Sequence, residues 1–353
     1  MTPKICVYAI SLNEAKHVEK FYQSCKLADL VLIADTGSTD DTVAIAQKLG
    51  IQTYAISVKP WRFDTARNIA LGLIPSDYDI CISMDLDEVL TPGWRERVIH
   101  AWREGVTRIQ YRYEFAPGYQ FNATKIHSRS GYNWSNICHE MIQPDSRHEE
   151  VWGFIEDLLM AHHQDATKGR QQYLPMLMAV VKENPSNNRD SWYLAREYYY
   201  MKEYQKCIDE FERYLALPSA VWHHERSFAL RCQGKSYLAL GLVSQAFDCL
   251  RLAVNTSRLC RDPWLDLAQA CYTQNSWPEC FYAATQALSI TTREFVFTSD
   301  AEPWGARLYD LAALAAHNLG MKDTAVKYGQ LALDMHPDDA RLLKNMEYYQ
   351  LVK

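Results

Sequence analysis

The sequence predicts an α/β domain on a mainly parallel, Rossmann-like sheet, followed by an all-α domain of stacked helical hairpins. Three observations predict it. Apolar runs alternate with amphipathic helical segments over the first hundred residues, and beyond about residue 168 the apolar period is helical throughout. Within that second half a small or apolar residue recurs at Ile208, Ala246, Cys280 and Ala325, at steps of 38, 34 and 45 residues. Strand–helix alternation implies parallel strands joined by crossovers, with helices on both sheet faces. A recurrence near 34 residues is the period of helix-turn-helix repeats.

In order, strands are expected at 5–10, 30–34, 51–58 and 80–84, with helices at 14–26, 40–49 and 63–73 between them. Gly37-Ser38-Thr39-Asp40-Asp41 is a turn whose hydroxyls can cap the following helix, and Gly50 ends that helix. The fourth strand runs into Asp85-Leu86-Asp87-Glu88, which puts two carboxylates at i, i+2 just past a strand's C-terminal end. Ligands of open α/β sheets bind beyond those ends, so Asp35, Asp85 and Asp87 can converge there. Oxygen ligands of this kind suit a hard divalent cation that keeps positions open for phosphate oxygens. The competing reading is a solvated acidic turn. Residues 110–165, rich in aromatics, His and Asn, read as irregular segments that cover a pocket.

In the second half each hairpin cannot bury its apolar stripe alone, so about four must stack, as in tetratricopeptide-like repeats. An ordinary helical bundle is the alternative. Pro185 and Asn187-Asn188 mark the start of the repeats, and Tyr193, Tyr198, Tyr199 and Tyr200 read as core aromatics. The expected domains are therefore 1–167, a linker helix at 168–187, and repeats over 188–353.

Bulk composition agrees with two globular domains: 353 residues, 48% hydrophobic and 23% charged. A net charge of −6 supplies no global attraction to nucleic acid or anionic membrane. One segment, 95–129, carries Arg95, Arg97, Arg103, Arg108, Arg112, Lys125 and Arg129 against three glutamates, and reads as a solvated face. Of ten cysteines, none in a Cys-X-X-Cys pair, most sit in apolar stretches as small core residues of a reducing compartment would. No targeting segment opens the sequence and no apolar run reaches the ~18–20 residues that span a bilayer, so a cytoplasmic protein is expected.

Four motifs in order, Ile10-Ser11-Leu12-Asn13-Glu14, Asp35-Thr36-Gly37-Ser38-Thr39-Asp40, Phe63-Asp64-Thr65-Ala66-Arg67-Asn68 and Met84-Asp85-Leu86-Asp87-Glu88, resemble those of family 2 nucleotide-sugar glycosyltransferases. The resemblance covers about residues 4–165. With the helical extension the chain looks like the subgroup in which tetratricopeptide-like repeats follow the transferase domain, and His139-Glu140 and His162 match its later positions.

The resemblance implies a GT-A fold, a nucleoside-diphosphate sugar donor, most plausibly of uridine, Mn²⁺ or Mg²⁺, and inversion at the anomeric carbon. It assigns Ser11, Asn13, Glu14 and Asp35 to the donor, with Asp35 accepting from the base. Arg67 falls near base or diphosphate, where a guanidinium suits phosphate oxygens; a pair with Asp64 is its alternative. Asp85 goes to ribose or metal and Asp87 to metal. His162 completes the coordination, with His163 as its rival and a purely structural histidine as the alternative. Glu140 is the candidate base, with His139 as runner-up and a positioning role as the alternative. The acceptor is expected to be a protein, peptide or glycan, with the repeats as acceptor platform or homo-oligomerisation surface. Two other readings are a nucleotide-sugar-binding scaffold without chemistry, and transfer to a modified nucleic-acid base bound by the 95–129 segment and Trp134. Many relatives carry two adjacent acids where this sequence has Asp35-Thr36, so base and ribose contacts are expected to differ.

Overall fold

The computed structural model describes residues 2–163 and 173–351, apart from the side chains of Leu158 and Leu351. The expected domain boundary at 167/168 lies outside the described residues. The chain divides into two compact units, at Met176/Leu177.

The first unit carries β1 (Ile5–Ser11), α1 (Ala15–Cys25), β2 (Leu30–Asp35), α2 (Thr42–Lys48), β3 (Gln52–Ala55), α3 (Phe63–Gly72) and β4 (Ile80–Ser83). It continues with β5 (Glu88–Leu90), α4 (Trp94–Ala101), β6 (Arg108–Ala116), β7 (Tyr119–Ser128), β8 (Tyr132–Ser135), β9 (Met141–Pro144) and β10 (Trp152–His162). Eight strands form one sheet in the order β3-β2-β1-β4-β7-β6-β10-β5, and β8-β9 is a separate ribbon. β3, β2, β1 and β4 run parallel, as does the β6–β10 pair, whereas β7 is antiparallel to both its neighbours and β5 to β10.

Alternation along β1 sorts its side chains onto two faces. Ile5, Val7 and Ala9 pack with Val18 and Phe21 of α1, Ala46 of α2, and Trp94 and Val98 of α4. Cys6 and Tyr8 pack with Ala70 and Leu71 of α3 and with Tyr132, Trp134 and Ile142 of the ribbon. A period of two on a strand buried on both sides requires this division.

The structure corrects the reading of 110–165 as irregular cover. This stretch supplies most of β6, all of β7 and β10, and the ribbon. On β6, Ile109, Tyr111 and Tyr113 are buried in the core while Gln110, Arg112 and Glu114 are less so.

In the second unit four antiparallel hairpins follow one another: α6 (Asn188–Tyr200) with α7 (Tyr204–Ala216), α8 (His223–Ala239) with α9 (Val243–Thr256), α10 (Arg261–Thr273) with α11 (Trp277–Ser289), and α12 (Arg307–Asn318) with α13 (Lys322–Met335). α5 (Tyr173–Glu183) precedes them and α14 (Ala340–Leu351) follows. Asn187 caps α6, its side-chain oxygen accepting from the Arg189 and Asp190 amides at 3.0 and 3.2 Å.

Each hairpin turns through one residue of positive φ, Lys202 (61°), Gly241 (78°), Asn275 (56°) and Gly320 (74°). Five residues beyond each turn lie Cys207, Ala246, Cys280 and Ala325, all fully buried. The equivalent of Ala246 in the first hairpin is therefore Cys207 rather than Ile208. Both are buried, but the turn fixes the register. Among the described residues no helix is long and apolar enough to cross a membrane.

Candidate active site

The sheet's C-terminal edge gathers most of the expected residues. β1 ends at Ser11 and β2 at Asp35, and Ser11 Oγ donates to Asp35 Oδ1 at 2.8 Å. Ser38 Oγ donates to the same oxygen at 2.5 Å, and the Gly37 and Ser38 amides donate to Oδ2 at 3.0 and 2.9 Å. Burial alone would raise the carboxyl pKa of Asp35, but these donors win and lower it. The four acceptor directions of the carboxylate are thus filled by protein donors, so Asp35 shapes the turn that surrounds it; this differs from the expected free acceptor for a base.

Asn13, at φ 55°, ties that turn to the loop after β1. Its Oδ1 accepts from the Thr39 amide and its own amide donates to Ser38 Oγ, both at 2.8 Å. The Glu14 amide donates to Thr42 Oγ1 at 2.7 Å. Ser11, Asn13 and Glu14 therefore meet Asp35, Ser38 and Thr42 as one cross-braced double loop.

Arg67, buried on α3, is the hub of the acidic half. Its Nη2 donates to Asp85 Oδ1 at 2.6 Å, its Nε to Glu140 Oε1, and its Nη1 to Ser83 Oγ at 3.3 Å. The guanidinium also lies 5.1 Å from the Trp134 ring centre. Asp64, the alternative partner, instead holds Arg62 at 2.7 Å. Burial would raise the Asp85 pKa, yet the charges of Arg67 and Lys125 hold it well below the carboxylate range.

Glu140 sits in the β8–β9 connection, its carboxylate mostly enclosed. His139 beside it has φ 52° and stacks on Tyr173, ring centres 5.4 Å apart and planes 19° apart.

Asp87 Oδ2 faces His162 Nε2, at the end of β10, across 3.3 Å. Burial would lower the His162 pKa, but its hydrogen bond to Asp87 and the charges of Asp87, Glu88 and Asp85 raise it. His163 points its Nε2 to Lys20 Nζ at 3.0 Å, leaving His162 as the ring beside the acids.

Two residues outside the expected set complete the cluster. Glu88 is fully buried and accepts from the Asp85 amide at 2.9 Å, Tyr113 Oη at 2.8 Å and Lys125 Nζ at 2.7 Å. Lys125, on β7, stands 3.6 Å from Asp85. Glu88 was visible as a third acid in the motif; nothing in the sequence joined Lys125 to it across 37 positions.

Asp87 and His162 offer a cation two donors. Among the described residues, Asp85, Asp87, Glu88 and Glu140 lie with two permanent cations, Arg67 and Lys125, so acids outnumber bases here, although burial raises the Glu88 pKa and favours its neutral form. Adjacent corners of an octahedral shell of ~2.1 Å radius are about 3.0 Å apart, close to the Asp87–His162 separation of 3.3 Å. His162 Nδ1 is buried with no hydrogen-bond partner among the described residues, so the ring's polar interaction is made through Nε2 alone.

The structure also corrects the reading of 95–129 as a solvated basic face. Arg95 pairs with Asp29, Arg97 with Asp157, Arg108 with Glu150 and Lys125 with Glu88, while Arg129 donates to the Ile74 carbonyl. Trp134, considered above for binding a nucleic-acid base, is 5% exposed and donates from Nε1 to Tyr8 Oη at 2.8 Å.

Residues 6–160 match the model of glycosyl transferase family 2. This stretch is a family 2 glycosyl transferase domain. An uncharacterized glycosyltransferase of Rickettsia conorii is 34% identical to the chain over 100 residues, which cover 28% of this chain and 34% of that one. One of Rickettsia felis is 34% identical over 97 residues, covering 27% and 32%. The chain thus spans about a third of the length of these curated relatives.

Among solved structures, YrrB, a TPR protein with an unusual peptide-binding site, is 16% identical and overlaps 50% of this chain and 83% of its own, with a TM-score of 0.39. Glucosyl-3-phosphoglycerate synthase from Mycobacterium tuberculosis, in complex with Mn²⁺, uridine diphosphate and phosphoglyceric acid, is 23% identical over 33% of this chain and 45% of its own, with a TM-score of 0.29. The architecture of the transferase domain and of the hairpins that follow rests on the strand order and turn register themselves.

Proposed function

We propose that the chain is a metal-dependent, inverting glycosyltransferase that moves a sugar from a nucleoside-diphosphate sugar, by preference that of uridine, to a protein, peptide or glycan acceptor. The observation that carries this reading is the Asp87–His162 pair beside an Asp85–Arg67–Glu140 chain at the edge where such sheets bind ligands.

In this reading Asp87, His162 and Asp85 hold Mn²⁺ or Mg²⁺. When bound, such an ion supplies Lewis-acid stabilisation of the leaving nucleoside diphosphate. A nitrogen ligand favours Mn²⁺, because Mg²⁺ takes oxygen ligands. Asp35 supports the nucleobase pocket indirectly, by holding the double loop of Ser11, Asn13 and Glu14 in shape. Arg67 fixes Asp85 and Glu140 with one guanidinium, so donor-side and acceptor-side carboxylates keep a constant relative position. Glu140 keeps Oε1 on Arg67 and uses Oε2 to take the acceptor proton as the nucleophile attacks the anomeric carbon. One direct displacement inverts that carbon.

The helical repeats supply an extended surface for acceptor docking or self-association. The test is a screen of nucleotide sugars for hydrolysis and transfer with and without Mn²⁺. Metal-dependent turnover of one donor, lost in Asp87→Asn, supports the proposal; turnover equal in the presence of a chelator contradicts it.

A further inference from the structure

The connection between α11 and α12, residues 290–306, is far longer than the other links between hairpins and runs back across earlier helices. Phe297 packs against Trp192 of α6 and against Trp222, ring centres 5.6 and 5.4 Å away. Arg231 of α8 donates to the Thr298 carbonyl at 3.3 Å and to Asp300 at 2.9 Å, and Asp262 of α10 accepts from the Ser299 hydroxyl and the Asp300 amide. The segment's start brings Glu294 to a second cluster, remote in the chain from the transferase motifs.

There His224, 7% exposed in the first turn of α8, places Nδ1 3.5 Å from the sulfur of Cys260, the residue just before α10. Glu294 Oε2 stands 2.8 Å from Nε2 of the same ring. One donor atom from each residue, a nitrogen, a sulfur and an oxygen, lie within 4.8 Å of one another. We propose that His224, Cys260 and Glu294 form a site for a zinc-class divalent cation, which pins the 290–306 segment to the N-terminal ends of α8 and α10.

The geometry points to that ion. With Zn–S of ~2.3 Å and Zn–N of ~2.0–2.1 Å, a tetrahedral N···S edge is about 3.5 Å, the distance found between His224 Nδ1 and Cys260 Sγ. Glu294 here holds the other ring nitrogen, Nε2, and its side chain is about half exposed, 47%, so on metal binding it must leave that contact and swing toward the Nδ1 side to deliver an oxygen as third ligand. Water takes the fourth position, and binding releases the thiol proton of Cys260 to solvent. Imidazole with thiolate selects zinc over magnesium or calcium, which separates this site chemically from the acidic cluster of the transferase domain.

The test titrates the full chain, stripped of metal, with Zn²⁺ alone against a chromophoric chelator, in an Asp87→Asn background that disables the other cation site. The expected result is one Zn²⁺ per chain, with affinity at least tenfold weaker in Cys260→Ser and His224→Gln. Co²⁺ in place of Zn²⁺ should give a thiolate-to-cobalt absorption band that Cys260→Ser abolishes. Should Cys260→Ser fail to fold, the exposed Glu294→Gln variant must still weaken Zn²⁺ binding. No Zn²⁺ uptake, or uptake and a cobalt band unchanged by these substitutions, overturns the proposal.

Discussion

Glu140→Gln separates chemistry from architecture. Its Oε1 holds Nε of the buried Arg67, whose other nitrogens remain on Asp85 and Ser83. A glutamine oxygen can keep that hydrogen bond, so the loss is a charged partner within a retained network, about 1–3 kcal/mol. Against a typical domain stability of about 5–15 kcal/mol this leaves the protein folded. Loss of a general base costs roughly 10²–10⁴ in rate, or about 2.7–5.4 kcal/mol of activation free energy. The assay pairs calorimetric affinity for uridine diphosphate with Mn²⁺ and single-turnover transfer. The expected outcome is near-normal affinity with transfer at least ~100-fold slower, and a smaller loss in His139→Ala. Unchanged turnover, or a fall in rate matched by a fall in nucleotide affinity, refutes the base assignment.

Other outcomes follow from the packing and the electrostatics. His162→Gln should weaken Mn²⁺-dependent nucleotide binding by about ten- to a hundredfold, read by calorimetry, whereas His163→Gln should leave it within twofold or so. Burial lowers the pKa of His127 to about 4, so its ring stays neutral in the fold while the unfolded chain takes up a proton below about 6.5. Stability from this group is complete above pH 6.5 and is lost as pH falls toward 4, by up to about 3 kcal/mol; urea midpoints of wild type and His127→Gln should converge on acidification. A Cβ on Gly234 would lie 2.7 Å from Leu250 Cγ and 3.1 Å from the Ala246 carbonyl, so Gly234→Ala should destabilise the α8–α9 hairpin by about 1–3 kcal/mol in thermal melts.

The first four strands and the Asp85/Asp87 pair were legible because period and spacing are local signals. β6 was missed although Ile109, Tyr111 and Tyr113 alternate with Gln110, Arg112 and Glu114, because two of these core positions are tyrosines and the strand opens on Arg108, a composition that reads equally as pocket lining. Arg108 is itself buried, donating to Glu150 and to the Ile142 carbonyl. The repeat register slipped by one in the first hairpin because its left-handed turn residue is Lys202, and only Gly241 and Gly320 advertise the turn by residue type.

The support beneath the site was not legible at all. The His127 Nδ1–H can only donate to the Ser128 carbonyl, at 2.8 Å, so its Nε2 accepts from Tyr8 Oη at 3.0 Å, and Tyr8 in turn accepts from Trp134. That relay joins residues up to 126 positions apart, and only the fold brings them together.

The central claim is that Asp87 and His162 hold a divalent ion that binds a nucleoside diphosphate at the sheet edge. Titrating uridine diphosphate into the full chain with Mn²⁺, with a chelator, and with Mn²⁺ in Asp87→Asn tests it most directly. The account predicts binding with Mn²⁺ that weakens at least tenfold both with the chelator and in the variant, while the variant's unfolding transition stays near that of wild type. Equal affinity under all three conditions would contradict it.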